Sequence, residues 1–214
     1  MYNRICSLIL CCASLTFAAL YSVPVNAQEF SGEIVQTGKE NTNRPPTKVF
    51  VGKDKMRFEN EGGSRESGAV ILDYASQKTY MLMPEQKMYM EIDPGQMGFR
   101  KLTDLMRPVD PNNACPLFQA AATDKKVLNC HKDGTETVNG RTAIKYEGTT
   151  QEDGTGYAWI DPKLHFILKW QGKDGAGELR NIKEGQQSSS LFEVPAGYQK
   201  FDINAMRNQR KPNH

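Results

Sequence analysis

Residues 79–92, which read TYMLMPEQKMYMEI, predict a β-hairpin with two short strands around a Pro-Glu-Gln-Lys turn. Side chains of a strand alternate between the two faces of a sheet. A turn centred on Glu85 and Gln86 therefore places four methionines on one face, as the opposed pairs Met83–Met88 and Met81–Met90. The other face carries Tyr80, Leu82, Tyr89 and Glu91. Valine and isoleucine usually dominate such a face, so four flexible thioethers indicate a surface that adapts to irregular apolar contacts.

Short strand patterns separated by turn residues occupy both sides of this hairpin. They cover residues 30–37, 48–51, 55–59 and 69–74 before it, and 134–138, 141–147, 156–160, 166–171, 177–182 and 198–203 after it. Asn139-Gly140 is a strong signal for a two-residue hairpin turn. The pattern predicts a mainly β (α+β) fold with about ten or eleven strands in a single curved antiparallel sheet, a half-barrel.

Two helices are predicted between the two runs of strands. Residues 96–107 place four apolar side chains at helical spacing, and Pro108 ends this helix. A second, shorter helix is predicted over 117–122, where Pro116 suits the first turn. The apolar side chains of the first helix are Phe99, Leu102, Leu105 and Met106.

The first 27 residues have the pattern of a secretory signal peptide. A positive residue, Arg4, precedes an apolar run over 5–20, and Val25-Asn26-Ala27 forms a small-residue cleavage site. The expected organisation is a signal peptide over 1–27, cleaved after Ala27, one domain over 28–203 and a polar tail over 204–214, with the mature protein in the periplasm. Lipidation at Cys11 is an alternative, which the bulk of Leu10 disfavours.

Cleavage of the leader would leave two of the five cysteines, Cys115 and Cys130. Two cysteines in an exported chain usually pair in an oxidising compartment. We therefore expect a structural disulfide that ties the start of the second helix to the strands. A redox pair is the weaker alternative, because the chain has no Cys-x-x-Cys motif and the two cysteines have no evident thiol-activating neighbour beyond His131 and Lys132.

Motifs for catalysis, cofactors and metals are missing from the sequence. The three histidines, His131, His165 and His214, share no metal-ligand spacing, and neither a Gly-x-Ser-x-Gly elbow nor a glycine-rich phosphate loop is present. The 27 Lys and Arg residues nearly balance 25 Asp and Glu residues, which gives no reason to expect nucleic acid as a partner. We predict a monomeric protein that is not an enzyme and needs no cofactor or resident metal.

The methionine hairpin admits three interpretations. It is a tolerant hydrophobic core, or an apolar trough for a flexible acyl chain, or a Cu(I) site, since thioethers suit Cu(I). The neighbouring side chains are apolar, and no histidine or cysteine joins the methionines. These features disfavour the Cu(I) site. The residues predicted to line a trough are Met56, Phe58, Met81, Met83, Met88 and Met90.

Three segments resemble one known family. They are the hairpin pattern with Asp73, Tyr80, Pro84, Glu85 and Lys87, the stretch 134–141 (GTETVNGR) and the stretch 192–198 (FEVPAGY). In this order they resemble the LolA/LolB-like superfamily of periplasmic lipoprotein carriers, and more closely its uncharacterised exported branch. The resemblance extends over nearly the whole mature chain.

The resemblance implies a half-barrel sheet whose concave face holds acyl chains, and it therefore favours the trough. The two predicted helices would form the lid over this face, with Phe99, Leu102, Leu105 and Met106 as the lid residues of the first helix. An early-strand arginine helps to close the lid in the carriers. Arg57 lies in that region, but its predicted face is opposite to that of Met56 and Phe58, so we do not assign it this role. The predicted function is a periplasmic carrier of a lipid or of lipoprotein acyl chains, with an envelope protein as a further partner. The alternatives are an envelope structural or interaction module and a Cu(I)-binding protein.

Overall fold

A computed structural model describes residues 28–37, 45–60, 68–92, 105–122, 126–173 and 175–202. The predicted leader over 1–27, the tail over 204–214 and the lid residues Phe99 and Leu102 lie outside the described residues. Most of the predicted helix over 96–107 lies outside them as well.

The described chain forms one sheet of 12 strands. The strands are β1 Phe30–Thr37, β2 Thr47–Val51, β3 Lys55–Asn60, β4 Gly68–Asp73, β5 Lys78–Met83, β6 Met88–Ile92, β7 Val127–Val138, β8 Arg141–Thr150, β9 Gly154–Asp161, β10 Phe166–Gly172, β11 Gly175–Glu184 and β12 Gln199–Lys200. Their order across the sheet is β12-β6-β5-β4-β3-β2-β1-β11-β10-β9-β8-β7. The sheet is open, with β12 and β7 at its two edges, so the predicted mainly β half-barrel is confirmed.

Three details differ from the sequence-based expectation. The strand count exceeds the predicted ten or eleven. The second helix, α1, is Cys115–Ala121, so it begins two residues before the predicted start and includes Pro116 in its first turn. The last strand is only Gln199–Lys200, and it runs parallel to β6. Before it reaches that edge of the sheet, the chain forms a short 3-10 helix, Ser189–Phe192.

The hairpin register agrees with the prediction from the turn. Met81 is opposite Met90, and Met83 is opposite Met88. Charged and polar residues close the turn, where Lys87 donates its backbone N–H to the carbonyl oxygen of Pro84 over 3.1 Å. The four methionines therefore share one face of the sheet, which we call the methionine face.

The inner face of the sheet is the one on which the largest core cluster is built. Directly paired residues and residues two apart in a strand share a face. Phe30 lies opposite Val51, and Val51 lies opposite Met56, so these three buried residues form one row across β1, β2 and β3. Phe30 also meets Phe166 of β10 edge-to-face, with ring centroids 5.4 Å apart. This contact joins the two halves of the sheet through one core.

The outer face of β3–β6 is covered by the C-terminal part of the chain. Phe192 packs with Leu82 and Ile71 in a second cluster. A Cβ added to Gly52 would lie only 2.9 Å from this ring, so the glycine leaves room for Phe192. Arg57 donates from Nη1 to the carbonyl oxygen of Leu191 over 3.0 Å. Arg57 therefore fixes the C-terminal segment on the outer face, which agrees with the face predicted for it.

Protonation of Glu91 should weaken the docking of β12 at the edge of the sheet. Hydrogen bonds from Lys200 and Lys78 hold the pKa of Glu91 below its ordinary value of 4.5. Because the pKa of Glu91 is depressed in the folded state, its ion pairs stabilise the fold fully above pH 4.5. This stabilisation is lost as the pH falls through the lower pKa of the folded state. We expect the Gln199 and Phe201 amides, which donate to β6 and its turn, to show lower hydrogen-exchange protection factors below pH 4.5. A Glu91→Gln variant should lose this pH dependence, and an unchanged dependence in that variant would exclude Glu91 as its source.

Candidate ligand-binding site

A cavity of about 930 Å³ lies between α1, residues 105–106 and strands β1 and β8–β11. Most of the side chains that enclose it are apolar and come from all of these elements. They include Ile34, Met106, Leu117, Phe118, Phe166 and Trp170. Such a cavity falls within the size range of small-molecule sites, which are mostly apolar with a few polar groups.

Polar residues line the cavity where β1, β9 and β10 reach solvent. Thr37 ends β1, and Gln171 and Lys173 lie at the end of β10, where all three are exposed. Lys173 donates from Nζ to the carbonyl oxygen of Glu152 over 3.2 Å. This side of the cavity can therefore hold the polar end of a ligand in water while the apolar part lies inside.

The wall formed by α1 rests on one aromatic contact and one covalent bond. Phe118, the buried residue of α1, lies directly over Gly148 of β8, where an added Cβ would come within 2.2 Å of the ring. Cys115 is bonded to Cys130 of β7, with Cα atoms 5.7 Å apart, which confirms the predicted disulfide. Ala114 at the start of α1 makes no side-chain capping hydrogen bond, so the disulfide and Phe118 hold this short helix in place.

The opposite wall depends on the close approach of Trp170 to Gly177. An added Cβ at Gly177 would lie 2.2 Å from Cζ2 of the indole, so the ring lies in close contact with the backbone of β11. The glycine therefore sets the depth at which Trp170 lines the cavity.

A Gly177→Ala substitution should displace Trp170 and destabilise the fold. Forcing a methyl group into such a contact costs about 1–3 kcal/mol. We expect a lower free energy of unfolding in urea and a shifted Trp170 emission maximum. Gly172→Ala is the matched control, because no heavy atom lies within 4 Å of its added Cβ. Equal stability and equal emission of the two variants would show that the Trp170–Gly177 contact does not fix the wall.

Residues 105–109 cross one end of the sheet and contribute Leu105 and Met106 to the cavity. Tyr74, just after β4, donates its hydroxyl proton to the carbonyl oxygen of Met106 over 2.7 Å. Further along, Val109 donates its backbone N–H to the carbonyl oxygen of His165 over 2.7 Å. Burial raises the pKa of Tyr74 well above its ordinary value of 10, although nearby Arg107 opposes this shift. The phenol therefore stays protonated and keeps this segment attached to the sheet.

The six predicted trough residues lie on the same face of the sheet as the cavity, but in a different part of it. Met81 pairs with Val70 of β4, and Val70 pairs with Phe58 of β3. The same row continues through Val49 of β2 to β1, the strand that carries the cavity residue Ile34. Met56 and Phe58 are buried in the core. The four residues of the methionine face are half-buried. Among the described residues that line the cavity, none belongs to the predicted trough; of the predicted lid residues, Leu105 and Met106 do line it.

The ion pairs of Arg141 do not line the cavity. Arg141 pairs with the buried Asp161 and with Glu184 at one end of β8, β9 and β11. Within the described ranges, no group of three or more His, Cys, Asp or Glu side chains could hold a metal ion. No helix of the described segments has the length and apolarity needed to span a membrane. We therefore take the apolar cavity beside α1 as the candidate ligand-binding site.

Sequence reasoning missed the residues that build the cavity walls, Phe118 and Trp170 above all. The available signal was the presence of glycines inside strand patterns, Gly148 and Gly177, since such glycines often mark a close approach of another group. The register of β10 and β11 pairs Trp170 with Gly177, and the packing of α1 brings Phe118 to Gly148. Single-strand periodicity predicts neither contact.

Comparisons with known proteins agree with this architecture. Residues 30–103 match a family model described as a domain of unknown function, DUF4412. No curated protein matches the sequence. The open sheet has the half-barrel architecture that the resemblance to the LolA/LolB-like superfamily implies.

Several solved structures are similar to the chain. An uncharacterized conserved protein from Thermus thermophilus has a TM-score of 0.50 at 12% identity, with 83% of this chain and 91% of that chain covered; at this identity the likeness shows the fold alone. The Pseudomonas aeruginosa MucA/MucB complex has a TM-score of 0.48 at 14% identity, with 80% of this chain and 57% of that chain covered. A LolA superfamily protein from Nitrosomonas europaea has a TM-score of 0.32 at 10% identity, with 79% and 91% covered.

Proposed function

We propose that this protein is a periplasmic binding or carrier protein that holds an acyl chain of a lipid or lipoprotein in the cavity beside α1. The observation that carries this proposal is the cavity of about 930 Å³ with an apolar interior and a polar open side. The predicted leader over 1–27 supports export. In the envelope, a lipoprotein or another envelope protein would be the partner that delivers or accepts the ligand.

Burial of the acyl chain supplies the binding energy in this scheme. An acyl chain gains about 0.8 kcal/mol for each CH₂ group that leaves water. Phe118 and Trp170 offer large, rigid contact surfaces, and Met106 adapts to ligands of different shape. Gln171 and Lys173 at the open side leave the polar end of the ligand hydrated.

The methionine face gives the same inner face a second apolar region. The trough predicted there from the sequence remains a prediction. Substitution of the four methionines by leucine would keep the surface apolar and should therefore leave the uptake of a fatty acid nearly unchanged.

The test is ligand retention by the purified protein. Native mass spectrometry should show a co-purified lipid, and a fluorescent fatty acid should bind saturably. Ala121→Trp introduces bulk at a residue of α1 that lines the cavity and should weaken this binding at least about tenfold, the equivalent of 1.4 kcal/mol. Gln119→Trp, on the same helix but outside the cavity lining, is the control and should bind as the unmodified protein does. A protein that is free of lipid and does not take up the fatty acid would contradict the proposal.

An envelope interaction module without a ligand is the second candidate, and the edge strand β7 favours it. β7 is mostly exposed, and Leu128 on it has 64% of its surface in solvent. An unpaired strand edge can add a strand from a partner, although the bulges in β7 disfavour such pairing. In this case Ala121→Trp would leave the cellular function intact, while substitutions on β7 would abolish it.

A further inference from the structure

Acyl binding alone does not explain why the four residues of the methionine face are methionines. An acyl chain requires apolar contacts, which leucine and valine also provide, but it does not require sulfur. In the described part of the chain, the three clusters of buried core residues include Met56 but none of the four methionines of the hairpin. All four are half-buried, so the methionine face is not closed into the core formed by the described residues.

The register brings the four thioethers within reach of one point. Met81–Met90 and Met83–Met88 are neighbouring same-face pairs of one hairpin. Opposed Cβ atoms lie about 5 Å apart, and residues two apart in a strand lie about 7 Å apart. The centre of this rectangle is therefore about 4 Å from each Cβ. A sulfur two bonds beyond Cβ, together with a metal–sulfur bond of about 2.3 Å, covers that distance at all four corners.

The charged groups of the hairpin lie on the opposite face. Nζ of Lys78 forms a salt bridge with Oε1 of Glu91 over 2.5 Å, and Nζ of Lys200 forms one with Oε2 over 2.8 Å. The methionine face thus presents neutral sulfur ligands, and the carboxylate of Glu91 is directed away from it. Oxygen ligands suit Mg²⁺, Ca²⁺ and Mn²⁺, whereas thioethers select soft ions.

We infer that the methionine face is a binding site for Cu(I), with thioether sulfurs of Met81, Met83, Met88 and Met90 as the ligands. The site is separate from the cavity beside α1, and it gives the inner face a second, chemically different ligand. Binding requires neither a covalent change nor a proton transfer, because thioethers are neutral when free and when bound.

The inference is tested first with Ag(I), a soft ion of the same charge that needs no reductant. The full chain, with any free thiols of Cys6, Cys11 and Cys12 alkylated, is titrated with Ag(I) and observed by native mass spectrometry. We expect one retained ion per chain. Cu(I) in ascorbate, in competition with a bicinchoninate chelator, should be retained likewise.

A variant with leucine at all four positions should lose the ion. Leucine conserves volume in place of methionine, at a cost usually below about 1.5 kcal/mol, so the fold is retained. Met56→Leu, a buried residue on the same face, is the matched control and should keep the ion, as should Ala121→Trp. Retention of Ag(I) and Cu(I) by the four-leucine variant, or failure of the unmodified protein to hold either ion against the chelator, would overturn the inference.

Discussion

Loss of the Cys115–Cys130 bond should lower the free energy of unfolding by about 3 kcal/mol, since the bond closes a loop of about 15 residues. The two cysteines are 15 positions apart, and the bond links α1 to the edge strand β7. A Cys115→Ser, Cys130→Ser variant should show this loss in urea unfolding, and α1 should also lose its position over the sheet. Increased hydrogen exchange at the amide of Ala122, which donates to the carbonyl oxygen of Phe118, would report the release of α1.

The same variant separates the stability of the sheet from the position of the cavity wall. The hairpin turn at Asn139 lies at the opposite end of β7 and should keep its exchange protection under native conditions. Reduction of the unmodified protein should reproduce the change in α1. If both the unfolding free energy and the exchange of α1 stay unchanged, the disulfide does not hold this wall.

Removal of the Arg141 side chain should cost about 3 kcal/mol, because it leaves a buried carboxylate without its cation. Nε of Arg141 lies 2.5 Å from Oδ2 of Asp161, whose side chain is 3% exposed, and Nη1 lies 2.7 Å from Oε1 of Glu184. Burial disfavours the charged guanidinium, but the hydrogen bonds to these two carboxylates outweigh this and raise the pKa of Arg141. In Arg141→Ala, Asp161 still accepts hydrogen bonds from the backbone N–H groups of Lys163 and Leu164. These hydrogen bonds limit the loss of stability.

Lys163→Ala is the matched control for Arg141→Ala. Lys163 pairs with the same Glu184, but its side chain is 62% exposed, and exposed pairs contribute about 1 kcal/mol or less. The measurement is the midpoint of urea unfolding at neutral pH. A double variant, Arg141→Met with Asp161→Asn, should recover part of the stability, because the buried charge is then removed. Equal losses for Arg141→Ala and Lys163→Ala would contradict the importance of burial at Asp161.

Local sequence patterns were sufficient to predict much of the fold. β1 has the predicted bounds, because alternation of apolar and polar residues marks a half-buried strand. Asn139 and Gly140 have φ of 49° and 77°, which suits the predicted two-residue turn. The symmetric turn at residues 84–87 sufficed to predict the pairing of the methionines.

Features that depend on distant parts of the chain were not predictable in this way. The first half of β7 carries exposed polar side chains around Cys130, so it has no apolar alternation to mark it. The parallel pairing of Gln199 with Met88 follows from the path of the C-terminal segment over the outer face. The cavity itself requires that α1 pack beside β8 and that Trp170 lie against Gly177, and both contacts arise only when the sheet is assembled.

Fluorescence quenching of Trp170 is the most direct test of the claim that the cavity beside α1 holds an acyl chain. The chain contains two tryptophans. Trp170 lines the cavity, whereas Trp159 is not among the described residues that line it and donates from Nε1 to Glu136 over 2.8 Å. Titration of the Trp159→Phe variant with a spin-labelled fatty acid should quench Trp170 strongly and saturably, and the Trp170→Phe variant should show little quenching. Equal quenching of both variants, or none in either, would contradict the account.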